Sequence, residues 1–365
     1  MEMSVQTDKQ PIKDSMLVNI QHKVGKLGGI LPPAILIVVA MTIIPAFSSS
    51  FWIKAFTSSA VFSLAALGVA LLYGRLGLVS LGQVAQLGMG GWVVLRLGHG
   101  TNLPFVIVLL IGGIVAGLVG LVAGIPALRM RGLYLALITL MGAGGFQVIV
   151  NGTGFPDGGP GFLGRVESGT RSLLARPFFA QTDAAYFRFV IIVVTLGFLF
   201  VELHRRTRPG RAWALIRKSD ASALSAGVNI TLYKTWAFAL AGFLSGIAGG
   251  LLAGSIGQLD GRAFPASDSI MLFAMTVVGG VYHWEGPIIT GLLLRAFPSL
   301  LNSWNVDGNI AYIVFGAALL QALITAPAGL AGQLADASRR FFQNRTRPSA
   351  NEAADSDHKK RNEQQ

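Results

Sequence analysis

Long apolar runs alternate with polar or basic segments along most of the chain. The run from Pro104 to Gly124 holds 21 residues without one charge, which is the length a helix needs to cross a bilayer core of about 30 Å. Comparable runs precede and follow it, so the pattern predicts an all-α polytopic membrane protein. About ten transmembrane helices are expected, near residues 30–47, 55–73, 78–95, 104–124, 132–150, 186–203, 235–256, 268–282, 287–301 and 310–326.

Composition supports a membrane protein, with 52% hydrophobic and only 13% charged residues. A soluble enzyme is therefore excluded as a class. The net charge of +12 comes from basic residues spread between apolar runs, which indicates membrane topology and no nucleic-acid partner. The chain has no cysteine and five scattered histidines, so neither thiol chemistry nor a metal site is expected.

The distribution of basic residues predicts the orientation. With ten crossings, 21 of the 29 Lys and Arg residues fall on the side of the termini and seven on the other, while Arg295 stays within a predicted helix. Segment 204–234 carries seven basic residues against Asp220 alone, and segment 152–185 is balanced. We expect both termini and segment 204–234 in the cytoplasm, and loop 152–185 outside the cell.

The chain divides into a membrane domain and two polar tails. Residues 1–29 predict a cytoplasmic tail, and the apolar run from Ile30 predicts an uncleaved anchor because it lacks a convincing cleavage site. Residues 30–330 form the predicted transmembrane domain. Residues 331–365 are polar and without periodicity, which predicts a disordered cytoplasmic tail and no second folded domain.

Glycine is abundant, with 46 residues, and several glycines repeat every four positions. This spacing places them in rows on single helix faces, where another backbone approaches closely; lipid-facing glycine is the alternative. A tightly packed bundle is the preferred interpretation. The rows comprise Gly246, Gly250 and Gly254, then Gly113 with Gly117, and Gly120 with Gly124.

The basic segment predicts a short helix outside the bilayer. Pro209 and Gly210 end the preceding helix, Arg211 to Ala226 form a new one, and Gly227 ends it in a left-handed cap. Two functions remain open, an interfacial helix on anionic lipid or a helix that docks on a cytoplasmic protein. An apolar stripe is formed by Trp213, Ile216, Ala223 and Leu224, and the polar residues are Arg211, Arg217, Lys218 and Asp220.

Polar residues within apolar runs are candidates for a transport pathway. Ser80 to Gln83, with Gln86, predict either hydrogen bonds between helices or a pathway lining. Arg295 is costly in hydrocarbon unless it snorkels, lines a pathway, or pairs with a carboxylate. The candidate carboxylates are those of Asp260, Asp268 and Asp307.

Two glycine-rich stretches lie between predicted helices. The first combines Gly279, Gly280, Glu285, Gly286 and Pro287, and predicts either a cytoplasmic turn or a gate-like broken segment. The second, GFPDGGPG at 154–161, predicts an outer loop that contacts another protein or simply connects two helices.

Several motifs in this order resemble the LivM-type permease subunits of ATP-binding-cassette (ABC) importers for branched-chain amino acids and related solutes. The resemblance spans roughly residues 60–330. It departs from the family pattern at Gln83, Asp220 and Leu224. Its motifs are LLYGRLGLVSLGQVAQLGMGGW at 71–92, GIPALRMRGLYLALITL at 124–140, NGTGFPDGGPGF at 151–162, GRAWALIRKSDASALSAGVNITLYKTWAF at 210–238, VVGGVYHWEGPIITG at 277–291 and APAGL at 326–330.

The resemblance implies a ten-helix permease of the BtuC-like or LivHM type in a bacterial cytoplasmic membrane. Its implied partners are a homologous LivH-like permease, two cytoplasmic ATPases, an extracytoplasmic solute-binding protein and membrane lipid. The chain has no G-x-x-x-x-G-K-[ST] motif, so the partner subunits would use the ATP and this chain would bind no cofactor.

The resemblance also assigns roles to the candidate residues, in a transport subunit that is not an enzyme. Trp213 and Ile216 would be buried anchors for the ATPase, and the neighbouring polar residues would orient it. The implied coupling residues are Arg211, Trp213, Ile216, Arg217, Asp220 and Gly227. The implied pathway residues are Ser80, Gln83, Gln86, Gly279, Gly280, Glu285 and Arg295.

Two other classes of membrane protein are weighed against the importer. An ion-coupled secondary transporter would normally carry Asp or Glu inside its spans, and the sequence places none well inside a predicted span. A membrane-embedded enzyme would need clustered nucleophiles or carboxylates at one depth, which the sequence does not offer.

Overall fold

The computed structural model describes residues 36–305 apart from 131 and 167–170, and then residues 310, 313, 316, 317, 320 and 329–336. These residues contain helices and no strand. The helices are α1 (Leu36–Phe47), α2 (Ser50–Leu76), α3 (Gln83–Gly100), α4 (Phe105–Gly124), α5 (Leu133–Thr153), α6 (Asp183–Arg206), α7 (Arg208–Lys218), α8 (Asp220–Ser225), α9 (Ile230–Ile256), α10 (Ala266–Gly279), α11 (Gly286–Gly291) and α12 (Phe297–Ser303). Short 3₁₀ turns occupy Pro126–Leu128, Phe178–Ala180 and Gly261–Ala263, and a π-helical turn, Leu292–Ala296, joins α11 to α12.

Five of the described helices, α2, α4, α5, α6 and α9, are long and apolar enough to cross a membrane. The predicted span 310–326 and the predicted tail 1–29 lie mostly or wholly outside the described residues. Residues 331–336 were expected in a disordered tail and are helical, and Ala331 is 2% exposed. The predicted start of the tail at residue 331 is therefore too early. The polar composition of residues 331–365 gave no indication that the first of them pack against the bundle.

The start of the third predicted span is wrong. Residues 77–82 are not helical, and α3 begins at Gln83 and continues to Gly100. Gly77 adopts a left-handed conformation with φ of 71°, which ends α2. The following segment is held by a tertiary contact, in which the Leu81 N–H donates to Thr139 Oγ1 at 2.9 Å.

Helix α9 lies at the centre of the bundle and packs on α2, α3 and α4. The predicted glycine rows are confirmed as close-packing sites. A Cβ added at Gly246 would lie 2.4 Å from the Ala116 Cβ, and one added at Gly120 would lie 2.5 Å from the Phe238 carbonyl oxygen. These helices therefore approach to a distance that larger residues would prevent.

The connections between helices collect at two opposite ends of the bundle. Among the described residues, the loop end comprises 101–104, 154–166, 171–182 and 257–265, where Arg176 donates to the Ser255 carbonyl at 2.8 Å. The basic end comprises residues 125–130, 132, 207–229 and 280–285. Every second connection along the chain therefore lies at the same end of the bundle. This is the arrangement expected when each helix crosses the membrane once and the next one returns.

Candidate coupling and translocation sites

The basic segment folds as two helices rather than the single helix that the sequence predicts. Ser219 has extended backbone, with φ of −167° and ψ of 133°, and separates α7 from α8. Pro209 does not end the preceding helix but lies in the first turn of α7, where the missing N–H costs nothing. The predicted left-handed cap is confirmed at Gly227, whose φ is 73°.

Trp213 and Ile216 face the chain's own bundle. They are 0% and 5% exposed, and they pack in a cluster with Leu71, Leu72 and Phe238. The indole N–H of Trp213 also donates to the Tyr233 carbonyl at 3.0 Å. The expectation that these two residues anchor a partner protein is therefore wrong, because they fix α7 rigidly to the membrane helices of this subunit.

Arg217 joins three elements at the basic end. Its guanidinium donates to the Gly74 carbonyl near the end of α2, and to the Tyr282 hydroxyl at 2.9 Å. The guanidinium carbon also lies 4.9 Å from the centre of the Tyr282 ring. Arg217 was expected to face water or a partner. Its side chain is exposed, and it also links α7 to α2 and to the turn 280–285.

Asp220 pairs with a buried lysine that the sequence analysis did not single out. The Lys234 ammonium donates to the Asp220 carboxylate at 3.2 Å, and the Lys234 side chain is 4% exposed. A buried ammonium needs a nearby carboxylate to offset its desolvation. The sequence signal that could have identified Lys234 was a lone lysine at the start of an apolar run.

The solvent-facing residues of the segment include Arg211, Lys218 and Leu224.

The glycines at 279–286 form a tight turn at the basic end. Helix α10 ends at Gly279, Gly280 has φ of 112°, and a Cβ at Gly286 would lie 1.8 Å from the Gly280 oxygen. Only glycine allows this approach. Pro287 lies in the first turn of α11, and Glu285 Oε2 is buried without a hydrogen-bond partner among the described residues. This geometry favours the turn over a broken membrane segment.

The predicted polar group on α3 lies between helices. Gln83 is 1% exposed, and its Oε1 accepts a hydrogen bond of 2.6 Å from Ser245 Oγ on α9. Gln86 and Ser80 are each 4% exposed. The interpretation as hydrogen bonding between helices is confirmed for Gln83, and none of the three lines the two cavities described next.

A cavity of about 520 Å³ opens at the loop end, and we call it the outer cavity. The predicted GFPDGGPG loop forms one wall through residues 154–157, and residues 258–262 form another. Asp157 holds this wall, since its carboxylate accepts the Val166 N–H at 2.7 Å and lies 3.4 Å from Arg171 Nε. Charged side chains therefore line the outer cavity, and the contacts of Asp157 stabilise one of its walls.

A second cavity of about 300 Å³, the inner cavity, shares residues 258–260 with the outer one. Arg295, Asp268 and Asp260 all line it, and the Arg295 guanidinium carbon lies 3.9 Å from the centre of the Phe62 ring. This placement favours a pathway or pairing role for Arg295 over snorkelling. Asp307, the third carboxylate considered, lies outside the described residues.

The comparison with known families decides the identity of this bundle. The family described as "Branched-chain amino acid transport system / permease component" matches residues 51–323. The chain belongs to this permease family. The matched range contains both cavities and the whole of α7 and α8, so the described sites are features of a permease.

Individual relatives agree with the family. The high-affinity branched-chain amino acid transport system permease proteins LivM of Salmonella typhimurium and Escherichia coli are 26% and 27% identical to this permease, over 75% of its chain and 68% of theirs. The probable LivH of Methanocaldococcus jannaschii is 26% identical over 40% of this chain and 46% of its own. No solved structure matches the chain.

Proposed function

We propose that this permease forms half of the membrane pathway of an ATP-driven importer of branched-chain amino acids. The family match over residues 51–323 carries the proposal. The second half would come from a LivH-like permease, and the similarity to a LivH protein supports such a homologous pair. Two cytoplasmic ATPases would supply the energy, and a solute-binding protein would deliver the amino acid at the loop end.

The proposed architecture has ten crossings of the BtuC-like or LivHM type, in a bacterial cytoplasmic membrane. Apolar side chains on α4, α5 and α6 are exposed, as lipid contact requires, and they include Leu118, Met141 and Leu199. The basic end would face the cytoplasm, because segment 204–234 carries seven basic residues against Asp220 alone.

Reconstitution tests this function. The complete importer in proteoliposomes should take up radiolabelled leucine, isoleucine or valine only when ATP is inside with the ATPases and the binding protein is outside. Uptake by the purified chain alone, driven by a proton or sodium gradient, would instead establish an ion-coupled secondary transporter.

Coupling would pass from the ATPases through α7 and α8 to the membrane helices. Trp213 and Ile216 hold α7 to the bundle, so a push on its exposed face moves the helix as a rigid body. Arg217 then transmits the movement to α2 through Gly74 and to the α10–α11 turn through Tyr282. Arg211 and Leu224 remain exposed for the partner, and Gly227 ends the segment.

Arg217→Ala should uncouple ATP hydrolysis from transport. The variant loses two charge-assisted contacts at the basic end but none in the bundle core, so assembly should persist while leucine uptake falls about tenfold or more per ATP hydrolysed. The matched control is Lys218→Ala, which removes an equal charge from the exposed neighbour. Equal uptake per ATP in the two variants would contradict the role of Arg217.

Single-cysteine labelling tests the orientation, and the native chain contains no cysteine to remove. Ser222→Cys at the basic end and Thr101→Cys at the loop end both place the thiol at exposed positions. In intact cells, a membrane-impermeant maleimide should label the Thr101 variant and not the Ser222 variant. Labelling of the Ser222 variant from outside would refute the proposed orientation.

A further inference from the structure

The inner cavity combines opposite charges with apolar walls. Arg295 supplies a guanidinium, and Asp268 and Asp260 supply carboxylates on the same cavity, where Asp268 lies within the electrostatic influence of Arg295. Phe62, Leu252 and Phe264 contribute to its apolar walls and are each less than 8% exposed. An arrangement of this kind complements a ligand that carries both charges and an apolar side chain.

We propose that the inner cavity is a binding station for a zwitterionic amino acid with an aliphatic side chain. The ligand carboxylate would bind Arg295, its ammonium would bind Asp268 and Asp260, and its side chain would contact the apolar walls. The assignment rests on the proposed function, and it specifies where in this subunit the transported solute is recognised. The cavity volume of 300 Å³ falls at the lower end of the ~300–1,000 Å³ that small-molecule sites occupy.

The position of Arg295 supports a site for an anion. An arginine among apolar helices is costly near the bilayer centre, so it occurs where a partner or a water-filled cavity offsets that cost. The Phe62 ring packs against the guanidinium and limits its orientations. A planar guanidinium fixed in this way presents its N–H groups to a carboxylate in a bidentate geometry.

A local distortion of the helix places Arg295 at this point. The residue lies in the π-helical turn Leu292–Ala296, and Pro298 follows in the first turn of α12. Because proline has no N–H to donate to the carbonyl of Leu294, the regular helical ladder is interrupted there. Such π turns occur frequently at functional sites, where they redirect a side chain.

The inner cavity adjoins the outer cavity through shared lining residues. Gln258, Leu259 and Asp260 line both, and Asp260 is exposed at the loop end. A solute released at the outer cavity would therefore meet these three residues before it reaches Arg295. Asp260 would contact the ammonium first, and Asp268 would hold it at the deeper position.

Protection of an introduced cysteine tests the site. Ala263→Cys places the only thiol of the chain on the inner cavity, at an exposed position. The full chain, in its membrane complex with the second permease and the ATPases but without binding protein, is alkylated with a small maleimide. Leucine should slow the alkylation. Isoamylamine, which lacks the carboxylate, and isocaproate, which lacks the ammonium, should need at least about tenfold higher concentration for the same protection.

Charge variants in the same background identify the residues that bind. Arg295→Gln and Asp268→Asn should each raise the leucine concentration for half-protection by about tenfold or more. The control is Arg262→Gln, which removes a charge beside the probe from a residue that lines only the outer cavity, and it should leave protection unchanged.

The outcomes separate this proposal from the proposed function. Equal protection by leucine and its singly charged analogues, or unchanged protection in Arg295→Gln, would overturn the zwitterion site even if the complete importer transports leucine. Protection with the expected pattern, in an importer that fails to take up any branched-chain amino acid, would support the site and refute the proposed function.

Discussion

Replacing Gly246 with leucine is expected to prevent the membrane bundle from assembling. Gly246 lies on α9 where α3 and α4 both approach, and a Cβ at this position would already lie 2.4 Å from the Ala116 Cβ. Overpacking in a core usually costs about 1–3 kcal/mol, and the cost here should be higher because the Ala116 Cβ and the backbone atoms of Gly112 and Gly113 cannot rotate away. The amount of folded protein extracted from membranes, measured by monodisperse size-exclusion elution, should fall below detection.

Gly142→Leu is the matched control for this prediction. It makes the same chemical change on α5, where nothing lies within 4 Å of the added Cβ. This variant should retain normal yield and elution when the chain is produced without other subunits. If both leucine variants were extracted in equal amounts, the central position of α9 and its close contacts with α3 and α4 would be wrong.

Replacing Asp220 with alanine is expected to have the second-largest effect. The change leaves the Lys234 ammonium buried without the carboxylate that lies 3.2 Å from it. Breaking a buried ion pair on one side costs about 3–5 kcal/mol, and the lower value applies here because the Asp220 side chain is 21% exposed. The melting temperature of the purified permease in detergent should fall clearly, and ATP-driven uptake should fall with it.

The double variant Asp220→Ala with Lys234→Met tests the physical cause. Methionine fills the space of the lysine stem without a charge, so most of the lost stability should return. Uptake should recover only in part, because the link between α8 and α9 is then purely apolar. A double variant that melts no higher than Asp220→Ala alone would show that Asp220 acts through other contacts.

Features that depend on short-range geometry were predictable from the sequence. A row of glycines four residues apart identifies a helix face whatever its partner, and the close approach at Gly246 confirms it. Gly227 follows a short helix and takes the left-handed conformation that its position predicts. The apolar runs predicted most of the helices, because in lipid each backbone must satisfy its hydrogen bonds within its own segment.

Features that depend on long-range contacts were not predictable from the sequence. The contacts of Arg217 were not predicted, because Gly74 and Tyr282, which are distant in the sequence, supply them. The break at Ser219 was also missed, and α7 and α8 are positioned by separate contacts with the bundle and with Lys234. Trp213 was predicted on the correct face of its helix, but the pattern does not distinguish its own bundle from a partner.

The sequence by itself determined that this permease is an all-helical membrane protein, which family it belongs to, and where its glycines allow close packing. These properties follow from hydropathy, helix periodicity and local motif order. Only the tertiary structure decided which charges meet. It links Arg217 to Gly74 and Tyr282 at the basic end, buries Lys234 beside Asp220, and brings Arg295, Asp268 and Asp260 to one cavity. The reason is that electrostatic partners are selected by distance in space, and hydrophobic periodicity specifies a helix face but not its neighbour.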